Sequence, residues 1–309
     1  LLGAATSLIE NTLAQTYKVK EANGGFRGGP SYYMEKALGQ KTLGYIFSVI
    51  VIVTFAFVFN TVQANTIAQA FETTFNMSSA VAGVILAVLT ALIIFGGLNR
   101  IANVVSFMVP IMAIGYVVVA LYVLAVNAVH IPGLFMSIIE AAFGLKQAVG
   151  GAIGVAMLQG IKRGLYSNEA GMGSTPHAHA VAHVKHPAEQ GLTAIIGVFI
   201  DTVLVCSATA LAILVTGAYN VKGADGKFLA GAQLTQQAFR AAFGAGGAIF
   251  LAVCLSFFAF TTIVGWYYFG ESNIKYLFGK AGLLPYRAIV LICIIAGSLG
   301  EVAIVWSLA

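Results

Sequence analysis

Apolar runs of membrane length recur along this chain and limit what it can fold into. In hydrocarbon every backbone N–H and C=O must be hydrogen-bonded within the protein, so α-helices and closed β-barrels are the structures that cross a bilayer. A spanning helix needs about 20 apolar residues, which is the length of these runs. Charged residues make up 9% of the chain, whereas soluble domains contain about 25%. We therefore predict an all-α integral membrane protein.

The apolar runs predict seven whole spans and the end of an eighth. The partial span covers residues 1–17, and a polar loop is predicted to follow it as far as Lys41. Amphipathic helices at residues 131–143 and 232–243 are too short to cross a bilayer and are predicted to lie on a surface. The whole spans are predicted at residues 43–71, 78–97, 101–127, 149–186, 192–217, 246–270 and 284–307.

The basic residues predict the orientation of the spans. They are scattered in short loops without interleaved aromatic residues, so we expect no nucleic-acid partner. When the loops alternate between two sides, ten basic residues fall on one side and four on the other. Cytoplasmic loops are enriched in Lys and Arg, which makes the side with ten cytoplasmic. The ten are Lys18, Lys20, Arg27, Lys36, Lys41, Arg100, Lys185, Lys275, Lys280 and Arg287.

The span at residues 149–186 contains a polar, glycine-rich interruption. Residues 160–176 read GIKRGLYSNEAGMGSTP, and each of the four glycines costs about 1 kcal/mol relative to alanine inside a helix. Ser174 or Thr175 can cap a second helix that begins at Pro176 and runs through HAHAVAHV. We therefore predict that residues 164–173 are non-helical at membrane depth. Discontinuous helices of this kind hold substrates and ions in secondary transporters.

The same stretch resembles the signature of a known family. It continues as GIKRGLYSNEAGMGSTPHAHA and is followed by KHPAEQG, which together resemble the sodium:alanine symporter family, also called the alanine or glycine:cation symporters. The segments LLGAATSLIENTLAQ, RGGPSYYMEKALG, VQANTIAQA and FAFTTIVGWYYFGE also resemble the family, in family order. The resemblance covers essentially the whole chain.

This resemblance implies a fold and a function. The fold would be a leucine-transporter-like bundle of two inverted five-helix repeats, in which the first helix of each repeat is broken. The interruption would then lie in helix six, and its counterpart, helix one, would precede Leu1. The chain starts and ends inside apolar runs, so we expect residues 1–309 to be a single transmembrane transporter domain that lacks the first broken helix and the last helices.

The implied function is sodium-coupled import of small neutral amino acids, alanine or glycine, by alternating access. The implied location is the plasma membrane, as a multi-pass protein of a prokaryotic inner membrane. The expected partners are the amino acid, Na⁺ as the coupling ion, and membrane lipid, with no cofactor. The residues themselves do not distinguish alanine from glycine or Na⁺ from H⁺.

The interruption offers polar groups that suit an amino-acid zwitterion. Ser167, Asn168 and Glu169 supply a hydroxyl, an amide and a carboxylate next to unpaired backbone groups around Gly171. A half-helix N-terminus attracts a carboxylate, and C-terminal carbonyls attract an ammonium group or Na⁺. We predict that Ser167, Asn168 and Gly171 bind substrate. The alternative is that the side chains cap the two half-helices without touching a ligand.

Three more residues are predicted to contact the substrate. Gln63 interrupts an apolar helix, where an amide usually hydrogen-bonds a neighbouring helix; the resemblance implies that Gln63 lies on helix three and lines the cavity. Trp266 and Tyr166 are predicted to bound a cavity that is too small for large side chains. The alternative for Trp266 is a position in the aromatic belt at the membrane interface.

Thr261 and Thr262 are the predicted Na⁺ ligands. Two adjacent hydroxyls can both offer oxygen to Na⁺, which is a hard cation. The alternative is that each hydroxyl bonds the carbonyl one turn back in its own helix. The resemblance implies that these hydroxyls lie on helix eight and complete a sodium site.

Other readings of the chain are less well supported. His179, His183 and His186 would share one face of a helix and could hold a metal, but no HExxH motif or nearby Cys accompanies them and His186–Pro187 predicts a helix end, so a solvated face is favoured. The glycine-rich segment could also be the re-entrant filter of an ion channel. We expect no enzyme, because the spans contain no paired aspartates, GxSxG or metal motif.

Overall fold

The computed structural model describes residues 3–21, 24–142, 158, 160–164, 166–223, 226, 228–301 and 304–305. Residues 160–164 and 166–168 form a helix that we call the pre-break helix. The other helices are α1 Gly3–Thr16, α2 Pro30–Leu38, α3 Lys41–Phe75, α4 Ser79–Ile94, α5 Gly97–Val126, α6 Ile131–Ala142, α7 Pro176–His179, α8 Pro187–Val215, α9 Gly231–Phe243, α10 Ala245–Phe278 and α11 Leu283–Leu299.

The helices confirm the all-α membrane class and most of the predicted spans. Among the described residues, four helical stretches are long and apolar enough to cross a membrane, and the fourth contains both α10 and α11. They coincide with the spans predicted at 43–71, 101–127, 192–217, 246–270 and 284–307. Helix α4 lies within the span predicted at 78–97 but has 16 residues. Residues 149–157, 159, 165, 302–303 and 306–307 of the predicted spans lie outside the described residues, as do residues 1, 2 and 143 of the other predicted segments.

The segment predicted as a polar loop after α1 is folded, and that prediction is wrong. Strands β1 Val19–Lys20 and β2 Phe26–Arg27 form an antiparallel hairpin, and α2 follows. Pro30 begins α2 because its fixed φ suits the first helical turn. The first turn of α2 is buried, so tertiary packing gives structure to a stretch whose glycines and charges indicate a loop.

Two apolar clusters join the helices. One lies between α3, α4, α5, α10 and α11 and includes Ile263 and Ile294, which are fully buried. The other lies between α5, α8, α9 and α10 and includes Phe239 and Leu251. Helix α10 contributes to both clusters, so it connects the two halves of the described bundle.

Helices α3 and α11 approach closely at a glycine. A Cβ atom added at Gly297 would lie 2.5 Å from Thr61 Cα and 2.6 Å from the Thr61 carbonyl oxygen. These are backbone atoms, which cannot rotate away. Small residues at such contacts let membrane helices pack tightly, because apolar surface alone does not drive helix association in lipid.

We expect Gly297→Ala to lower the thermal stability of the detergent-purified protein. Overpacking typically costs about 1–3 kcal/mol, and the added methyl group would force α3 and α11 apart. Gly115→Ala is the matched control, because Gly115 lies in α5 with no atom within 4 Å of its added Cβ. Thermal unfolding followed by tryptophan fluorescence compares the two. Equal melting temperatures for both variants would contradict the close approach.

Candidate functional site

The break in the helix begins later than predicted. The pre-break helix continues through Asn168, and the irregular segment runs from Glu169 to Thr175, so the prediction that residues 164 and 166–168 are non-helical is wrong. Gly164 costs the helix too little to end it. The break itself is confirmed from Glu169 onward, because Glu169, Gly171 and Gly173 have φ values of 54°, 85° and 74°. Left-handed backbone of this kind cannot continue a helix.

The side chain of Asn168 ends the pre-break helix. Its Oδ1 accepts the backbone N–H of Ala170 at 3.0 Å, which is a turn that competes with helical hydrogen bonding. Its Nδ2 donates to Thr202 Oγ1 at 3.1 Å. Asn168 therefore performs the capping role that was the alternative to substrate contact, and it also links the break to α8.

The carboxylate of Glu10 on α1 holds the unwound backbone. Its two oxygens accept the N–H groups of Gly171 and Gly173, each at 3.1 Å. Thr175 Oγ1 lies 3.4 Å from the same carboxylate and 3.3 Å from Asn11 Oδ1. Sequence reasoning did not select Glu10 as a site residue. The sequence did contain a signal for Glu10, because an ionisable residue within an apolar membrane segment is a candidate functional residue by default.

Glu169 carries a second carboxylate at the break, and it points toward α10. It accepts hydrogen bonds from the hydroxyl of Ser174 and from the indole N–H of Trp266. Glu169 is one of the two described non-glycine residues with positive φ. This backbone conformation is uncommon for residues other than Gly, Asn and Asp. Here the two hydrogen bonds hold the side chain of Glu169 in place.

Aromatic rings pack around Trp266 on the same side of the break. Trp266 is 4% exposed, and its ring centroid lies 5.3 Å from that of Phe59 and 6.0 Å from that of Tyr166. Gln63 Nε2 lies 3.5 Å from the Tyr166 hydroxyl. The structure therefore brings together Gln63, Tyr166 and Trp266. A belt tryptophan would be exposed at the interface, so the alternative for Trp266 does not fit its burial.

Ser167 faces α8, whereas Glu169 faces Trp266 of α10. The Ser167 hydroxyl donates to Asp201 Oδ2 at 2.8 Å and lies 3.1 Å from Cys206 Sγ. These partners belong to a π-helical segment of α8, Ile200–Cys206. A second π-helical segment, Ile52–Phe59, precedes Gln63 in α3. π-Helical turns occur frequently at functional sites, and both of these lie in helices that contact the break.

Thr261 and Thr262 lie one turn before Trp266 in α10. The Thr261 hydroxyl donates to the carbonyls of Phe257 and Phe258, both at 2.9 Å, and the Thr262 hydroxyl donates to Phe258 at 2.8 Å. This is the alternative bonding considered from the sequence. It uses the hydroxyl hydrogens and leaves lone pairs on both oxygens, so it is compatible with cation binding.

The histidines after the break do not share a helix face. Helix α7 ends at His179, and His186 caps the start of α8 by accepting the N–H of Ala188, so the predictions of a helix through HAHAVAHV and of a helix end at His186 are wrong. His179 bonds Gln190 and is half-buried, while His183 is exposed. No group of three His, Cys, Asp or Glu residues suited to a metal occurs in the described part of the chain.

His177 joins the end of the break to α10. It is 1% exposed, its Nδ1 lies 2.8 Å from the Ser174 carbonyl, and its Nε2 lies 2.8 Å from Asn273 Nδ2. These partners assign the proton to Nδ1, which donates to the carbonyl, and leave Nε2 to accept from the amide. Asn273 Oδ1 in turn lies within 3.0 Å of the hydroxyls of Ser31 and Ser48. This buried network anchors α7 and α2 to α10.

The described site is a broken helix inside a bundle of apolar helices, as in a membrane carrier. The chain belongs to the sodium:alanine symporter family, whose family model matches residues 1–309. It is 45% identical over its whole length to the amino-acid carrier protein AlsT of Bacillus subtilis, of which it covers 65%. It is 44% identical over its whole length to the probable sodium/glutamine symporter GlnT of the same organism, of which it covers 64%. The sodium/alanine symporter AgcS of Methanococcus maripaludis is 37% identical over 99% of the chain, which covers 68% of AgcS. The chain thus spans slightly less than two thirds of the length of the first two relatives.

We expect Glu10→Gln to loosen the break. A carboxylate accepts both glycine N–H groups, whereas an amide has one oxygen and would turn its NH₂ toward the other donor. An unsatisfied buried donor costs about 1–3 kcal/mol. Hydrogen exchange measured by mass spectrometry should therefore speed up in a peptide that contains Gly171 and Gly173.

Glu72→Gln is the control for this measurement. Glu72 is exposed at the end of α3 and accepts a hydrogen bond from Ser79, which the amide oxygen can still accept. Its substitution should leave exchange in the break unchanged. Exchange that is equally slow in Glu10→Gln and in the wild type would show that the carboxylate does not hold the backbone.

Proposed function

We propose that this protein is a sodium-coupled symporter that imports small neutral amino acids, alanine or glycine, by alternating access in the plasma membrane. Its fold is then a leucine-transporter-like inverted-repeat bundle, and residues 1–309 belong to one transporter domain. The side with ten basic residues is cytoplasmic. The protein is a carrier and not an enzyme, and its coupling ion is Na⁺.

The observation that carries this proposal is the unwound segment Glu169–Thr175 surrounded by helices. Its backbone leaves the helical ladder, and Glu10 from α1 accepts two of its N–H groups. Trp266 of α10 donates to the Glu169 side chain, and Thr202 of α8 accepts from Asn168, the last residue of the pre-break helix. Irregular backbone at membrane depth occurs where it is buried in protein or lines a cavity, and carriers use it to bind substrate and ions. Relatives described as an amino-acid carrier and a sodium/alanine symporter support the carrier over a channel.

In this proposal the substrate lies against the break. Gln63 and Tyr166 offer an amide and a hydroxyl, Ser167 and Asn168 offer polar groups on the α8 side, and Gly171 permits close approach of the backbone. Trp266 is the wall that meets the substrate side chain. The proposal gives each of these groups a polar or steric role that a zwitterion with a small side chain requires.

Sodium binds, in this proposal, at the hydroxyl oxygens of Thr261 and Thr262. Uptake of labelled alanine by proteoliposomes of the full-length protein should then require an inward Na⁺ gradient. Thr262→Val should raise the Na⁺ concentration for half-maximal uptake by about 10- to 100-fold, because losing one interaction with a charged group costs roughly 1.5–3 kcal/mol. Thr261→Val should act similarly.

Thr216→Val is the matched control for the threonines. Thr216 donates to the carbonyl of Ala212 one turn back at 2.8 Å, the same bond that Thr262 makes, but it lies at the end of α8. Its substitution should leave Na⁺ dependence unchanged. If Na⁺ dependence is unchanged in both Thr261→Val and Thr262→Val, the two hydroxyls only hydrogen-bond carbonyls of their own helix and do not bind Na⁺. Uptake that needs no Na⁺ gradient would contradict the proposed coupling.

If Trp266 is the wall, Trp266→Ala should admit leucine-sized substrates. Each additional methylene buried in the opened space contributes about 0.8 kcal/mol. Alanine should bind less tightly in the same variant, because it loses contact with the ring and leaves a poorly filled cavity. Competition of labelled alanine uptake by unlabelled leucine measures both effects, and unlabelled glutamine should be included because one relative is described as a sodium/glutamine symporter.

Trp266→Phe distinguishes the steric role of the Trp266 ring from its hydrogen bond to Glu169. It keeps an aromatic ring but removes the indole N–H that Glu169 accepts. Leucine should compete weakly in Trp266→Phe and strongly in Trp266→Ala. A Trp266→Ala protein that transports alanine with wild-type affinity and still excludes leucine would place Trp266 outside the binding pocket.

A further inference from the structure

A polar cavity lies apart from the break, at the end of the bundle where α3 begins and α10 ends. Its volume is about 380 Å³, and residues of β1, β2, α2, α3 and α10 line it. Four of the lining side chains are cationic, and one, Glu35, is anionic. The cations are Arg27, Lys36, Lys41 and Lys275.

The carboxylates around this cavity do not balance its cations. Glu35 lies 3.8 Å from Lys41, while Glu21 lies 3.5 Å from Arg27 and 3.8 Å from Lys275. The remaining pairing involves Glu271, which binds both Lys275 and Arg287. The four lining cations thus face three carboxylates, Glu21, Glu35 and Glu271, among the described side chains. The cavity therefore carries a local positive charge that favours an anion.

Tyr32, which lines the cavity, has a buried hydroxyl that makes no hydrogen bond of normal geometry within the described residues, although the side chain of Arg27 lies next to it. Tyr32 is 6% exposed. Burial raises the pKa of Tyr32 to about 12, so the hydroxyl keeps its proton and can donate. A buried polar group without a partner is costly and calls for a ligand or an ordered water. The guanidinium carbon of Arg27 lies 5.6 Å from the centre of the Tyr32 ring.

The cavity adjoins an apolar surface on α3. Tyr45 lines the cavity and is 42% exposed, and Ile46, Val49 and Ile50, which follow it on α3, are more than half exposed. These side chains extend from the cavity along the membrane-spanning part of the helix. An anionic group in the cavity would therefore have room for attached hydrocarbon along α3. Basic pockets at the ends of membrane helices bind lipid head groups in this way.

We propose that this cavity binds a phosphate group, with Lys36, Lys41 and the Tyr32 hydroxyl as its ligands, and that the phosphate belongs to an anionic phospholipid. Arg27 and Lys275 add positive charge from the wall of the cavity. The acyl chains of the lipid lie against the exposed face of α3. The site is independent of the proposed transport mechanism, because none of its residues contacts the break.

The proposal is tested by native mass spectrometry of the full-length protein with phosphatidylglycerol and, separately, with phosphatidylcholine. The wild type should retain phosphatidylglycerol preferentially. The double variant Lys36→Gln with Lys41→Gln should lose about tenfold in phosphatidylglycerol affinity, because a basic side chain near a membrane surface contributes measurably to anionic lipid binding. Tyr32→Phe should lose about tenfold or more, since it removes a donor to a charged acceptor.

The control is the double variant Lys222→Gln with Lys280→Gln. It removes the same charge from exposed lysines that do not line the cavity, and it should keep wild-type affinity. Tyr32→Phe removes a hydroxyl that makes no hydrogen bond of normal geometry within the described residues and should not lower the melting temperature, which separates lost binding from lost folding. Equal phosphatidylglycerol affinity in the wild type, Tyr32→Phe and the Lys36/Lys41 variant overturns the proposal, as does an equal loss in the control.

A competition experiment with inorganic phosphate tests whether the phosphate group that binds the cavity comes from a phospholipid or from solution. If millimolar phosphate displaces phosphatidylglycerol from the wild type and raises its melting temperature, but does neither in the Lys36/Lys41 variant, the cavity recognises phosphate from solution as well. If phosphate has no effect while phosphatidylglycerol binding depends on the same residues, the lipid is the ligand.

Discussion

Backbone N–H groups that leave a helix inside a membrane have no water to bond, and the carboxylate of Glu10 is what satisfies two of them here. Without that acceptor, the left-handed positions Gly171 and Gly173 would have two backbone donors without this partner. The bond connects α1 to a segment about 160 positions later in the chain. The shape of the break therefore depends on the packing of α1 as much as on its own glycines.

The geometry of the break determines what surrounds it. The pre-break helix ends at Asn168, and the positive φ of the next residue, Glu169, turns its side chain toward α10, where the indole of Trp266 donates to it. This fixes Trp266 against Phe59 and Tyr166. A few hydrogen bonds at one irregular segment thus place the aromatic rings as well as the backbone.

The sequence predicted most of the spans, the existence of a break and the restart at Pro176, because each depends on local composition. Apolar runs of sufficient length and a Pro at the first helical turn carry that information by themselves. It did not predict that the helix would survive Gly164, since packing outweighs about 1 kcal/mol of glycine cost. It also missed the hairpin after α1 and the role of Glu10, because both depend on contacts between distant parts of the chain.

The contacts of the break differ in kind on its two sides. Toward α8, Ser167 and Asn168 make hydrogen bonds with Asp201 and Thr202. Toward α10, the contacts combine aromatic rings with the bonds from Glu169 to Trp266 and from His177 to Asn273. Ring faces can slide with little change in energy, whereas a buried hydrogen bond is lost at a cost of about 1–3 kcal/mol. A conformational change between the break and α10 would therefore be limited by two buried hydrogen bonds. Each of these two hydrogen bonds acts over a short distance, so a small displacement would break it completely. The contacts between the aromatic rings would persist through such a displacement.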